Sequence, residues 1–156
     1  KLRKGFVPYW NRPFDLGLWE EFHDDLLKYF SVSYDSFGSD HFMQILRFRY
    51  LRRHFDQNLE LFESHYYLCL LALLRAGMIK EKNLLDLAHL ETAVVGRMDI
   101  LRRVEDNLKV FLYEKDRETM IKNPRAFQSL ILALAGRGRL DMRDGQGGTF
   151  FVPTFN

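Results

Sequence analysis

Nine consecutive apolar residues, Tyr66 to Leu74, stand between His65 and Arg75. At 3.6 residues per turn such a run points in every direction around a helix, so no single-sided burial can satisfy it. The segment must be a helix covered all round, either at the centre of a core or in a seam between two copies of the chain. It has about half of the ~18 residues needed to span a bilayer, so it is not a membrane helix. The pattern predicts a helix over about 58–76, with Gly77 as its C-cap. With 156 residues, 47% of them hydrophobic, the chain is long enough for one sizeable core and short for two. One globular domain over 15–156 is the expectation.

The flanking sequence supplies the cover. Residues 1–14 read as an extended aromatic arm: Pro8 and Pro13 bias Val7 and Arg12 away from helical geometry, and Phe6, Tyr9 and Trp10 form a candidate partner-binding surface. From Asp15, a plausible N-cap, the spacing of Leu16, Trp19, Phe22, Leu26 and Phe30 predicts an amphipathic helix. The serine-rich stretch 31–40 has loop chemistry, and a second helix follows, reaching about Leu51. A long helical pattern begins near Glu81 and runs to about Tyr113, with Gly96 as the expected kink or break. A fifth helix is expected from Pro124 at N1 to Gly136 or Gly138. Beyond it, 139–143 and 149–154 bracket the turn signal Asp144-Gly145-Gln146-Gly147-Gly148, with Pro153 confining the second strand to a sheet edge. The expected fold is mainly α: about five helices with a C-terminal helix plus β-hairpin.

That C-terminal order, over 123–154, is winged-helix-like, and the local charge agrees with it. The whole chain has 23 basic and 21 acidic residues, a net charge of +2 that identifies no partner. Between Lys122 and Arg143, however, five basic residues meet one acid, Asp141. Arg125, Arg137, Arg139 and Arg143 are therefore candidate phosphate contacts, and Gln128 a candidate contact to base edges or backbone. Arg47, Arg49, Arg52 and Arg53 form a second basic face that either neutralises phosphates or pairs with acids at helical spacing.

Arg49 and His54 also stand in an Arg-x4-His spacing that resembles the HEPN-type ribonucleases, although Tyr50 replaces a polar residue usual in that family. The resemblance covers two residues and implies RNA phosphodiester cleavage by that pair. Glu20-x-x-His23 and Asp86-x-x-His89 have the i, i+3 form of di-iron bundles, but such acid-rich faces are commonly just solvated, and neither a metal nor a cofactor is expected. No nucleophile elbow, phosphate loop or dinucleotide fingerprint occurs. The single Cys69 excludes an intrachain disulfide, reads as a buried inert thiol, and suggests a reducing, cytoplasmic-type compartment. Lys1, Arg3 and Lys4 are not followed by an apolar h-region, so no signal peptide is expected.

The leading expectation is a non-catalytic subunit that contacts double-stranded DNA within a larger assembly. The alternatives are an adaptor or homo-oligomer that contacts protein only, and a helical ribonuclease using Arg49 and His54.

Overall fold

In the computed structural model, the described residues are 13–33, 50–56, 63–136, 139–145 and 148–154. Helix α1 spans Pro13–Phe30. It begins before the expected Asp15 cap because proline suits a helix start: its missing N–H is one of the donors left unpaired there, and its φ is already helical. Leu18, Phe22, Leu26 and Tyr29 are its buried residues, spaced by four and three. Ser31, at φ 52°, ends it by donating its N–H to the Leu27 carbonyl at 3.3 Å. Most of the second expected helix lies outside the described residues; Tyr50 and Leu51, at its expected end, lead into a 3-10 turn, Arg52–His54.

The chain forms two compact units, Lys1–Leu61 with Gly145–Gly147, and Phe62–Asp144 with Gly148–Asn156. The second unit holds the apolar run. Its helix, α2 (Tyr66–Arg75), starts eight residues later than expected. Glu63–Ser64 form a short strand, β1, and His65 is extended, with its Nδ1 accepting the Tyr67 N–H at 3.2 Å. That side-chain cap satisfies one of the unpaired donors at the helix start. At the other end, Gly77 adopts φ 71°, its N–H reaches Leu74 and the Met78 N–H reaches Leu73, the paired bonds of a Schellman ending.

Four further helices complete this unit: α3 (Glu81–Ala88), α4 (Ala93–Leu108), α5 (Glu114–Lys122) and α6 (Pro124–Ala135). The long pattern expected from 81 to 113 is thus two helices, and the break falls at 89–92, before Gly96. There the Thr92 hydroxyl donates to the Asp86 carbonyl at 2.9 Å and fixes the turn. Gly96 is instead a point of close approach. A Cβ there would lie 3.0 Å from the Asp86 Cβ and 3.2 Å from both the Asn83 carbonyl oxygen and the Leu87 nitrogen. The missing side chain lets α3 lie directly on α4, the most extensive helix–helix contact of the unit. α4 then ends at Lys109 in the left-handed conformation, a stop for which a lysine gives no sequence signal.

Two longer strands follow α6: β2 (Arg139–Gly145) and β3 (Gly148–Thr154). The sheet order is β1-β3-β2, with β1 parallel to β3 and Glu63 opposite Phe150, Ser64 opposite Phe151. β3 is therefore the middle strand, where an edge was expected from Pro153. The proline is accommodated because β1 pairs only with Phe150 and Phe151 and stops short of it. α2 packs against both β3 and α6, and its residues Leu68 to Leu73 are buried without interruption. The all-round apolar run is thus the centre of its own unit. Among the described residues the chain is mainly helical, with six α-helices, and no helix is long and apolar enough to cross a membrane.

Candidate nucleic-acid interface

A single residue, Asn123, joins α5 to α6 and serves both helices. Its N–H donates to the Thr119 carbonyl at 2.8 Å and closes α5, while its Oδ1 accepts the N–H groups of Arg125 at 2.9 Å and Ala126 at 3.4 Å, opening α6. Pro124 in the first position supplies helical φ without needing a partner for an N–H. Together they let one residue end the first helix and begin the second.

Buried contacts hold the corner. Met120, Phe127, Ile131, Leu134 and Ala135 are all buried, and the Phe127 ring meets Tyr66 edge-on at 6.3 Å. Arg97, only 7% exposed, donates from Nε to the Ile121 carbonyl at 2.7 Å. That carbonyl belongs to the last turn of α5, where the unpaired C=O groups carry partial negative charge, so the guanidinium finds a counter-charge without a carboxylate. Burial raises the Tyr66 hydroxyl above the ordinary tyrosine range and the Tyr67 hydroxyl adds to the effect, while the nearby Arg97 charge acts in the opposite direction. A second clamp sets the approach to α5: Glu105 Oε1 accepts the Leu112 N–H at 3.0 Å and Arg117 Nη2 at 2.9 Å.

The exposed side of α6 carries Arg125, Ser129, Leu132 and Ala133. Arg125 has no ion-pair partner among the described residues. Ser129 turns its hydroxyl back onto the Arg125 carbonyl at 3.0 Å, leaving little donor capacity outward. Gln128 is half-buried, and Lys122 is exposed beside Glu118 at 3.4 Å. Positions 139 and 143 belong to β2, which follows α6 directly. Arg137 lies outside the described residues, as do Arg47, Arg49, Phe6, Tyr9 and Trp10.

The remaining candidates lie on other elements. Arg52 and Arg53 are exposed on the 3-10 turn, and His54, also exposed, stacks edge-on against Tyr50 at 5.4 Å. His23 contacts the Glu20 carbonyl through Nδ1 at 3.3 Å and Asp24 through Nε2 at 3.1 Å, so both ring nitrogens are engaged on the helix surface. No group of three metal-ligating side chains gathers among the described residues. Cys69 is fully buried with Ser64 Oγ 3.2 Å from its sulfur, and burial pushes its thiol up to about 11, the opposite of what a nucleophile needs. Arg97 and the Glu105–Arg117 clamp had no motif to reveal them, because each acts on a backbone group far away in sequence.

The chain matches no protein-family model, and no curated protein or solved structure is significantly similar to it.

Proposed function

We propose that this chain is a non-catalytic subunit that contacts the phosphate backbone of double-stranded DNA through a winged-helix-like unit over 123–154, within a larger assembly. The observation that carries the reading is the order of parts: a helix, a one-residue corner, a second helix opening with an exposed unpaired Arg125, then paired strands in an arginine-rich segment. A helix-turn-helix places its second helix against DNA, and the adjoining hairpin can track phosphate. Base reading is not favoured. The outward side of α6 offers one cation, a hydroxyl tied to its own helix and two apolar residues, so it lacks the free bidentate amides and guanidiniums that distinguish base pairs. Contact to phosphate fixes position and carries no direct sequence information.

The test is binding to a labelled random-sequence duplex at about 50 and 200 mM salt, for the full chain and for a variant with Arg125, Arg137, Arg139 and Arg143 all changed to glutamine. The expected result is binding that weakens steeply with salt and falls at least tenfold in the variant. Unchanged binding by the variant overturns the assignment of the surface. No binding at the lower salt favours the adaptor reading, which has its own support: Leu132 is exposed on α6, and Phe111 and Tyr113 are exposed and stacked edge-on at 5.1 Å just before α5. The ribonuclease reading requires Arg49, which lies outside the described residues, to meet His54, whose exposed ring lies edge-on to Tyr50.

A further inference from the structure

Among the described residues, α4 leaves apolar side chains exposed on one side. α4 buries Ala93, Gly96, Arg97, Ile100, Leu101 and Val104. At 100° per residue the opposite side is centred on Val95, Met98 and Arg102, with Val94 beside them and Glu91 one turn before, in the segment leading into the helix. Val94, Val95 and Met98 are 48%, 47% and 47% exposed, and Leu90, just ahead of the helix, is 94% exposed. A solvated helix carries polar residues at these positions. Val94, Val95 and Met98 make an exposed apolar stripe along α4, the kind of surface that can mark an interaction site.

The charges at its two ends identify what covers it. Glu91 precedes the apolar residues, Arg102 follows them, both are exposed, and among the described residues neither has an ion-pair partner. An acid at one end and a base at the other make the stripe complementary to itself when turned end for end. We propose that α4 pairs with α4 of a second copy of this chain, antiparallel, about a two-fold axis passing between positions 96 and 97. In that register Val95 of each copy meets Met98 of the other, Val94 packs alongside, and Glu91 of each copy faces Arg102 of the other. A two-fold interface must be self-complementary, which this sequence of apolar centre and oppositely charged ends satisfies. The small valine side chains allow the close, shallow crossing of packed helices. The apolar area is below that of a standard stable complex, so the dimer dissociates in the micromolar range and responds to dilution. The pairing stands independently of the DNA reading.

The test is sedimentation equilibrium of the full chain from about 1 to 200 μM, at low and moderate salt. A reversible monomer–dimer equilibrium is expected, and a chain that remains monomeric at the highest concentration overturns the proposal. Met98→Glu, which buries two like charges at the centre, is expected to abolish the dimer. Glu91→Arg and Arg102→Glu each replace two attractions by two repulsions and are expected to weaken it about tenfold. The double swap, Glu91→Arg with Arg102→Glu, restores both pairs with reversed polarity and is expected to return the dissociation constant to within about threefold of the starting chain. All these positions are exposed, so circular dichroism and the urea midpoint at low concentration check that the variants still fold. A dimer indifferent to Met98→Glu, or a double swap as weak as the single ones, overturns this pairing and its register.

Discussion

At the scale of single residues, the chemistry of this chain is set by what burial does to Cys69 and Tyr66. Neither has a charged partner that stabilises its ionised form enough to outweigh burial, so both titrate above their ordinary values, Cys69 at about 11. A thiol at that value is protonated and inert at neutral pH, and the buried sulfur resists alkylating reagents until the chain unfolds. In the unfolded chain the thiol ionises near 9, so from about pH 9 upwards the unfolded state sheds a proton that the folded state keeps. The contribution of Cys69 to stability is therefore fully present below pH 9 and is lost as the pH rises through 11, about 2–3 kcal/mol over that window. Urea midpoints at pH 8 and pH 10.5 measure it. Cys69→Ala removes this share, so the variant is expected to lose less stability over the same interval than the parent, with Tyr66 still contributing in the same direction. An equal loss in both proteins contradicts the burial argument. That Cys69 is buried was legible from its apolar neighbours; that His65 caps the helix beside it was not, because a histidine cap depends on a side-chain orientation that spacing does not encode.

At the scale of elements, glycine has two different uses here, and substitution separates them by sign. Gly17 sits inside α1, exposed, and a Cβ at that position would have nothing within 4 Å, so the glycine's only effect is the conformational freedom it gives the unfolded chain. Gly17→Ala is expected to stabilise by about 0.5–1 kcal/mol. Gly96 also lies inside a helix, but an added methyl there meets two backbone atoms at 3.2 Å, atoms that move only if α3 moves. Gly96→Ala is expected to cost a net ~1 kcal/mol or more in spite of alanine's better helix propensity, because overpacking outweighs it. Chemical denaturation of the two variants checks both; a stabilising Gly96→Ala would show that the helix pair has room to relax. In the sequence, Gly96 is an unfavourable residue within a helical pattern and so predicts a break, since propensity is local while the crossing helix that requires the glycine is recruited by tertiary packing. The same limit explains β1. Two residues, Glu63 and Ser64, carry no strand pattern, and they are extended because Phe150 and Phe151 lie beside them. Where a stop or start has its own side-chain signature, as with Gly77 and with Asn123-Pro124, the end of α2 and the start of α6 were readable within a residue.

At the scale of the molecule, the distribution of charge limits how the chain can hold a polyanion. The net charge is +2, and the segment from Lys122 to Arg143 alone contributes +4, so the rest of the chain carries −2. On the proposed DNA reading, long-range attraction to a duplex would be weak, and binding would depend on contacts made by that one segment. With five cations available there, the logarithm of affinity falls with the logarithm of salt at a slope no steeper than about −4.5 per chain. The exposed Arg52 and Arg53 are the described alternative on the other unit. If they contributed, the slope would exceed that bound, and changing both to glutamine would reduce it by nearly 2. The expected outcome is a slope between about −2 and −4.5 that is the same with and without Arg52 and Arg53. The measurement belongs on the Met98→Glu background, so that each binding event involves one copy and the slope counts the phosphates neutralised by a single chain.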